Sequence, residues 1–404
     1  MRRQLPSLAL HLRSLLQQQS TGSAAAAAVG GVRALSELAL RNNALKAGGG
    51  GRSSVNGVTV TIFGCTGFLG RYVAQSLGKG GSQLVLPYRC DDVDMQHLRT
   101  MGDLGMVVPL KDFDFNSEEA IRKAVARSNV VINLIGAQQE TWNYSFEDVN
   151  VAMAHRIAKV VRESPQVERF LHVSALGAAP NAPSKRLRTK YDGETAVKAE
   201  APHATIFRPA LMTGTEDKFF NNYAQLVKRM PFVPLIDGGD TKLQPVWVRD
   251  VADGIVTSLF HDESKGQTYH LGGPQVYTVK QLLKFVHDTI REPYRGVYTP
   301  AAAAKLFAKP FDFMAKKSPF RSNYMFSQDY IDELTYDLVV PESGVLTFKE
   351  LDIAPASVTE GVPVDYLRFY RVGGYDFGTT AGSEAVGGGG FGSPGVSKSD
   401  AAQP

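Results

Sequence analysis

The stretch Val58-Thr-Val-Thr-Ile-Phe63 runs directly into Gly64-Cys-Thr-Gly67-Phe-Leu-Gly70, and this junction decides the fold. A β-branched apolar run predicts a buried strand, and the residues that follow have helical periodicity. Glycines between a strand and a helix are typical of a dinucleotide-binding βαβ unit, because they allow a tight turn, close approach to a pyrophosphate and close helix packing. A purely structural turn is the alternative. The predicted cofactor contacts in this loop are Gly64, Thr66, Gly67, Phe68, Leu69 and Gly70.

The composition is that of an ordinary globular protein. Of the 404 residues, 43% are apolar and 21% are charged. The longest apolar runs, such as 130–135, have the length of a strand and fall well short of the ~20 residues that cross a bilayer. The two cysteines, Cys65 and Cys90, have no CxxC spacing and no histidine cluster around them. We therefore expect neither a disulfide framework nor a metal site.

The first 53 residues differ from the rest of the chain. Arg2, Arg3 and Arg13 lie opposite leucines at helical spacing, and no acidic residue precedes Glu37. This pattern predicts a transit peptide and linker over 1–53, and arginines at the very start favour a mitochondrial over a plastid destination. The net charge of this segment is +6, whereas that of the whole chain is +4, so the net charge of the remaining residues is −2. The main argument for nucleic-acid binding is thereby lost.

From residue 58 onward, strand-like and helix-like segments alternate. Alternation of this kind predicts an α/β fold, a Rossmann-type doubly wound parallel sheet with helices on both faces, over residues 54–208. The predicted strands are 58–63, 83–88, 106–110, 130–135, 169–174 and 204–208. The predicted helices are 68–78, 92–101, 117–127, 146–163 and 186–200.

Beyond residue 208 the alternation becomes irregular. We predict a smaller C-terminal lobe over residues 209–290, covering the carboxyl edge of the sheet where ligands bind in such folds. Thr278 has the character of an N-cap for a helix over 279–290.

The C-terminal third divides into an extension and a tail. Residues 291–371 are rich in Phe, Tyr, Pro and Lys and predict an extension that contacts a partner or a membrane. Within it, 301–317 mixes aromatic residues with lysines in the manner of an interfacial helix, kinked at Pro310. A helix packed on its own domain is the alternative. The Gly-rich residues 372–404 predict a flexible tail.

The end of the second predicted strand bears on cofactor choice. Sites that prefer NAD place an acidic residue here, about twenty residues after the glycine loop, to bind the ribose 2′-hydroxyl. This chain has Arg89, whose charged planar fork suits the 2′-phosphate of NADP(H). Asp91 and Asp92 follow closely, and a two-residue shift in register would reverse the inference.

Two further strand ends supply candidate cofactor contacts. Asp114, after the third strand, is placed to accept a hydrogen bond from an adenine amino group, or else caps a helix. Leu134 and Gly136, at the end of the fourth strand, allow the backbone to run beside the cofactor, although a plain turn has the same pattern.

Five more motifs follow the glycine loop in a fixed order. They are Asn133-Leu-Ile-Gly136, His172-Val-Ser174-Ala175, Lys190-x-x-x-Glu194, Phe207-Arg-Pro209 and Gln244-Pro-Val-x-Val-x-Asp250-Val-Ala252. The ordered set resembles the extended or atypical short-chain dehydrogenase/reductase superfamily over residues 57–290. That resemblance implies a Rossmann fold and a nicotinamide cofactor.

The superfamily's usual catalytic set is a serine and a Tyr-x-x-x-Lys pair, in which the tyrosine is the acid/base and the lysine holds the nicotinamide ribose. By this resemblance, Ser174 and Lys190 match the serine and the lysine. The tyrosine position holds Arg186, and Tyr191 points about 100° away on a helix. The chain therefore has residues that would hold a cofactor but lacks the group that would transfer the proton, which predicts no catalysis. Ser174 and Lys190 are then vestigial catalytic candidates.

A closer resemblance lies within the superfamily. It is carried by the transit peptide and by Ser128-Asn-Val-Val-Ile-Asn-Leu-Ile-Gly136, Phe146-Glu-Asp-Val149, Arg188-Thr-Lys-x-x-Gly-Glu194, Gly214-Thr-Glu-Asp217 and Gln244-Pro-Val-x-Val. These motifs resemble the NADPH-binding accessory subunits of mitochondrial respiratory complex I. The resemblance, strongest over 57–260, implies a non-catalytic subunit on the matrix side of the inner membrane. It would hold NADP(H) among the complex I subunits of the matrix arm and quinone module.

Two alternatives stay open at this point. Some relatives, similar to the isoflavone reductases, work with a lysine and no tyrosine, so the chain is alternatively a free organellar NADP(H)-dependent reductase that uses Lys190. A redox-sensing regulator that binds NADP(H) without catalysis is the other.

Overall fold

Seven parallel strands form the central sheet of the computed structural model, which describes residues 55–317, 323–359 and 362–371. The predicted transit peptide and the predicted tail lie outside the described residues. In chain order, the strands are β1 (Thr59–Phe63), β2 (Gln83–Pro87), β3 (Val107–Leu110), β4 (Val130–Asn133), β5 (Arg169–Val173), β6 (Thr205–Pro209), β7 (Met212–Thr213), β8 (Val233–Ile236), β9 (Lys242–Leu243), β10 (Val246–Trp247), β11 (Thr268–Leu271), β12 (Tyr277–Thr278) and β13 (Gly296–Thr299). The helices are α1 (Phe68–Lys79), α2 (Asp92–Arg99), α3 (Glu118–Val125), α4 (Met153–Arg162), α5 (Lys185–Glu200), α6 (Phe219–Arg229), α7 (Val248–Ser258), α8 (Val279–Ile290), α9 (Ala301–Lys317) and α10 (Gln328–Leu334).

The strand order of the central sheet is β11-β6-β5-β4-β1-β2-β3. The chain moves outward in one direction through β1, β2 and β3, then returns to β4 beside β1 and moves outward in the other. Loops that leave the carboxyl ends of β1 and β4 therefore diverge and open a crevice, which is where such sheets bind ligands.

Helices cover both faces of the sheet, as the alternating pattern predicts. On one face, α1, α2 and α7 pack on alternate strand residues in a cluster that includes Val60, Leu84 and Leu171. On the other face, α3, α4 and α5 pack on the intervening residues, including Phe63, Val131 and Phe170. The predicted doubly wound α/β fold is confirmed.

Two elements differ from those predicted from the sequence. β11 pairs with β6 and supplies the seventh strand of the sheet. This strand lies within the segment predicted as the smaller lobe and was not itself predicted. The predicted helix 146–163 begins as a π-helical turn over Asp148–Ala152 before α4. A Cβ added to Gly193 would lie 2.2 Å from the Asn150 carbonyl oxygen, so this turn and α5 are in contact along their backbones.

A second hydrophobic cluster forms the smaller C-terminal lobe. It joins α6, β8 and α8 to residues far along the chain, including Met325, Leu334 and Leu367. The segments 209–290 and 291–371 thus share one core, although the division of the chain into domains stays a prediction. α8 begins at the predicted cap, where the side chains of Thr278 and Gln281 bond each other's backbone N–H in a capping box.

The helix α9 carries Pro310 in its interior. Ala308 and Ala315 are buried, whereas Leu306, Phe307 and Phe313 are exposed by 64%, 75% and 68%. In the described part of the chain, no helix combines the length and apolarity that crossing a bilayer requires.

Candidate nucleotide-binding site

Two adjoining cavities lie at the carboxyl ends of β1, β4 and β5, with volumes of about 610 and 370 Å³. Both are lined by Gly64, Gly67, Leu134 and Gly136, so they are compartments of one cleft. The larger compartment also contains Thr66 and Arg89, and the smaller one contains the remaining predicted contacts except Asp114. The smaller compartment's remaining contacts are Phe68, Leu69, Gly70, Ser174 and Lys190.

The glycine loop has the geometry that its sequence requires. Gly64 has φ of +85°, and a Cβ there would lie 3.0 Å from the Leu134 carbonyl carbon. A Cβ on Gly70 would lie 2.4 Å from the Gly64 carbonyl oxygen, so α1 starts close against the end of β1. Gly67 is the N-cap of α1 and provides no side chain to bond the first turn. The helix N-terminus is therefore open to an anionic group in the cleft.

Arg89 extends into the larger compartment between two aromatic rings. Its Cζ lies 4.9 Å from the centroid of Tyr144 and 6.0 Å from that of Phe115. The competing acid Asp92 accepts hydrogen bonds from Tyr88 and Lys111, at 2.8 and 3.1 Å, and lies outside both compartments. Of the three residues that the sequence left open, Arg89 lines the larger compartment, whereas Asp91 and Asp92 line neither.

Asp114 lies outside the cleft. It is exposed, and its Oδ1 accepts a hydrogen bond of 2.9 Å from the backbone N–H of Asn116. The structure therefore brings it into a local turn before α3, which is the alternative to an adenine contact. Phe115, the next residue, lines the larger compartment.

Lys190 lies against the strand ends at the back of the smaller compartment. Its Nζ donates to the carbonyl oxygens of Ile135 and Val173, both at 3.3 Å. A Cβ on Gly136 would lie 2.8 Å from Nζ, so a glycine at this position leaves room for the lysine. Burial, and then the positive charge of Arg186, lowers the pKa of Lys190 to about 8.

Ser174 and His172, two residues apart at the end of β5, do not form a nucleophile and base. The Ser174 hydroxyl is buried at the smaller compartment and has no hydrogen-bond partner among the described residues. The His172 ring is in the core, where Asn133 Nδ2 lies 3.1 Å from its Nδ1. Burial lowers the pKa of His172 to about 3, so the ring is neutral.

Arg186 lines the smaller compartment and is bound by an internal carboxylate. Its Nε donates to Glu333 Oε2 at 3.0 Å, and its Nη2 forms a second, short contact to Oε1. Although burial opposes the charge, Glu333 and then Asp329 hold the pKa of Arg186 above its ordinary value. A guanidinium in this state does not exchange protons near neutral pH.

Several residues that line the cleft were not identified from the sequence. Tyr144 follows β4 in a loop, and no local pattern predicts that its ring reaches Arg89. Tyr324 lines both compartments, and Tyr330 and Glu333 line the smaller one. They come from the aromatic-rich extension, more than 100 residues after Lys190 in the sequence, so only tertiary folding brings them to the cleft.

Comparisons with known proteins agree with this architecture. The NAD dependent epimerase/dehydratase family matches residues 60–272. Among solved structures, UDP-glucose 4-epimerase from Thermotoga maritima has a TM-score of 0.54 at 18% identity, covering 77% of this chain and 99% of that one. UDP-glucuronic acid 4-epimerase from Bacillus cereus has a TM-score of 0.52 at 14% identity, covering 69% and 100%. At these identities the likeness shows the fold alone.

Curated relatives are more similar in sequence. NADH dehydrogenase (ubiquinone) 1 alpha subcomplex subunit 9, mitochondrial, of Arabidopsis thaliana is 48% identical over 336 residues, which cover 82% of this chain and 83% of that protein. The Mus musculus protein of the same name is 45% identical over 325 residues, covering 80% and 83%. The mitochondrial NADH-ubiquinone oxidoreductase 40 kDa subunit of Neurospora crassa is 37% identical over 327 residues, covering 81% and 83%. These matches are longer than the stretch 57–260 in which the sequence resemblance was strongest. The chain therefore belongs to the family of alpha subcomplex subunit 9 of mitochondrial NADH dehydrogenase (ubiquinone), within the NAD dependent epimerase/dehydratase family.

Proposed function

We propose that this chain is a non-catalytic accessory subunit of mitochondrial NADH:ubiquinone oxidoreductase, complex I, and that it holds NADP(H) as a structural cofactor. One observation carries the proposal. The cleft keeps a dinucleotide-type glycine loop and Arg89, yet the position of the superfamily's catalytic tyrosine holds Arg186, paired with Glu333. The names of the relatives support membership of the complex.

The residues of the cleft fit the parts of the dinucleotide. The glycine loop and the N-terminus of α1 suit the pyrophosphate, and Arg89 suits the 2′-phosphate because charge-assisted hydrogen bonds from a guanidinium match phosphate oxygens. Lys190 and Ser174 suit the nicotinamide ribose, beside the backbone of Leu134 and Gly136. A bound nucleotide would stabilise the folded chain by mass action, by about 2.7 kcal/mol at a hundredfold excess over Kd, without any turnover.

The proposed lack of hydride transfer is supported by the residue at the position of the catalytic tyrosine. Reduction of a carbonyl requires an acid that gives a proton to the oxygen as the hydride arrives. Arg186, at that position, keeps its proton, and Lys190 donates two of its three N–H groups to backbone carbonyl oxygens.

We place the subunit on the matrix side of the inner membrane, in the matrix arm near the quinone module, and assign peripheral membrane contact to α9. The exposed Leu306, Phe307 and Phe313 on this helix, together with the exposed Lys309 and Lys317, support the assignment. Replacing the three apolar residues by serine should reduce membrane association, while the purified variant, away from the membrane, should still bind NADPH as the parent does. Unchanged membrane association would remove α9 from this role.

The experiment that tests the proposal separates gently solubilised mitochondrial complexes by size and identifies the nucleotide bound to this chain by mass spectrometry. We expect co-migration with complex I and one NADP(H) per chain. Migration only as a free monomer or dimer with hydride-transfer activity would overturn it.

A free NADP(H)-dependent reductase is the second candidate function. The observation that favours it is the unpartnered Ser174 hydroxyl beside Lys190, whose pKa is lowered to about 8. Tyr324 and Tyr330 add hydroxyl groups to the same compartment. NADPH oxidation by the purified chain with a small carbonyl substrate, abolished by Lys190→Met, would establish this function instead.

A further inference from the structure

Glu140 joins the nucleotide cleft to the helix α9. Its Oε2 accepts an ion-paired hydrogen bond of 2.7 Å from Lys316, in the last turn of α9. Its Oε1 accepts one of 3.0 Å from Lys185, the first residue of α5. The Glu140 side chain is only 12% exposed. Burial would raise its pKa, but Lys316 and Lys185 outweigh this and hold the pKa of Glu140 below its ordinary value, so the carboxylate is charged and committed to both partners.

The residues on either side of Glu140 form a wall of the larger compartment. Gln138 and Gln139 precede it, and Thr141 and Tyr144 follow it. Thr141 and Tyr144 exchange backbone hydrogen bonds of 3.0 and 3.3 Å, which makes a tight turn directly after Glu140. Because Tyr144 stacks on Arg89, the placement of the Glu140 carboxylate is tied to the placement of the arginine in the cleft.

The inner face of α9 has a second attachment to cleft-lining residues. Asp312 accepts a hydrogen bond of 2.9 Å from the backbone N–H of Gln328, and Phe311 stacks on Phe326 with ring centroids 5.3 Å apart. Lys305 forms an ion pair with Asp332. The segment that receives these contacts, 323–334, contributes residues to both compartments. These residues are Asn323, Tyr324, Tyr330, Glu333 and Leu334.

We infer that occupation of the nucleotide cleft sets the position of α9, and that Glu140 is the positioning residue that links them. This inference rests on the proposed binding of NADP(H). A ligand that draws Arg89 and Tyr144 into one arrangement fixes the turn at 141–144 and with it the carboxylate that holds Lys316. The exposed apolar face of α9 is then presented in one orientation. Since such coupling is reciprocal, occupation of that face tightens nucleotide binding by the same factor.

The test is hydrogen exchange of peptides within 301–317, measured by mass spectrometry on the full mature chain with and without saturating NADPH. We expect NADPH to slow exchange there by about tenfold, within the range typical of coupled sites. Glu140→Gln keeps the size and removes the charge; it should bind NADPH within about threefold of the parent and lose the protection of 301–317. Glu118→Gln, which removes an ion pair between α3 and α4 at residues that line neither compartment, is the matched control and should behave as the parent.

The outcomes separate the inference from the function on which it rests. If the parent does not bind NADPH in a titration, the proposed function fails. If NADPH binds and exchange in 301–317 is unchanged, or if Glu140→Gln keeps the full protection, the coupling fails and the nucleotide proposal stands. Should Glu140→Gln fail to fold, Lys316→Met decides, because this half-exposed lysine breaks the same contact from the α9 side and should lose the same protection.

Discussion

The two arginines of the cleft have opposite surroundings. Arg89, in the larger compartment, lies between aromatic rings. Among the described residues it forms no ion pair. Arg186, in the smaller compartment, is bound by both oxygens of Glu333. A cation that lacks an internal anion attracts one from solution, whereas a neutralised cation joins two parts of its own chain. On the proposed function, the compartment of Arg89 would receive the 2′-phosphate, whereas the charge of Arg186 is already met by the protein's own Glu333.

The largest effect should come from breaking the internal pair. Glu333→Ala leaves a largely buried guanidinium with only Asp329 nearby and should lower the free energy of unfolding by about 3 kcal/mol, the lower end of the range for a broken buried pair, measured by chemical denaturation. The double variant Arg186→Met/Glu333→Leu should stay close to the parent, because apolar replacement of a whole buried pair is often neutral. A loss below 1 kcal/mol for Glu333→Ala would mean that Arg186 is effectively solvated.

The next effect should fall on the other arginine. Arg89→Glu removes the charge-assisted contact to a 2′-phosphate and should weaken NADPH binding relative to NADH by about 2 to 3 kcal/mol, or thirty- to more than a hundredfold, by calorimetric titration. Arg89→Lys, which keeps the charge and loses the planar fork, should give an intermediate loss. If Arg89→Glu binds NADPH with the affinity of the parent, another group binds the 2′-phosphate.

Lys190, beside Arg186, should make the free energy of unfolding depend on pH. Its pKa is lowered to about 8 in the fold from 10.5, so between these values the unfolded chain binds more protons and stability rises with pH. In the nucleotide-free chain this should amount to about 2 kcal/mol between pH 8 and 10. Lys190→Met should remove that part of the rise, and equal slopes for the two proteins would place the lysine in solvent.

The smallest effect should come from the ring that holds Arg89. Tyr144→Ala should weaken NADPH binding by about 0.5 to 1 kcal/mol, or two- to fivefold, since an exposed cation–π contact contributes that much. Tyr144→Phe keeps the ring and should bind as the parent. If Phe and Ala weaken binding equally, the Tyr144 hydroxyl, rather than the ring, is what matters.

The elements that could be predicted from the sequence are those that depend on residues close together in the chain. The βαβ start at 58–70 and the N-cap at Thr278 depend on contacts within a few positions, and both are present in the fold. β11 is only four residues long and half buried, with Tyr269 and Leu271 facing inward, so its pattern is too short to distinguish from a loop. Arg186 and Glu333 are 147 residues apart in the sequence, and no pattern near either residue predicts their ion pair.

The site shows the same division. The glycine loop, Arg89, Ser174 and Lys190 follow from motifs, and the structure brings them to one cleft. Asp114 was expected there because it follows a strand, but a short side-chain bond to Asn116 turns it to the surface. Strand ends predict proximity to the sheet edge and leave the direction of a side chain to local hydrogen bonding.

The late position of 323–334 in the chain has a consequence for exchange of a bound ligand. The strands β1 to β6 and the glycine loop are made first, and they present half of the cleft open to solvent. The segment carrying Tyr324 and Tyr330 is synthesised more than 100 residues later and docks over it, with the Asp329 carboxylate accepting bonds from Ser184 and the backbone of Lys185 at the start of α5. Residues of this segment therefore line one side of both compartments, opposite the glycine loop, only after the rest of the cleft has been made. On the proposed function, the rate at which NADP(H) leaves would then depend on how tightly 323–334 docks on α5, as well as on the contacts that the nucleotide itself makes.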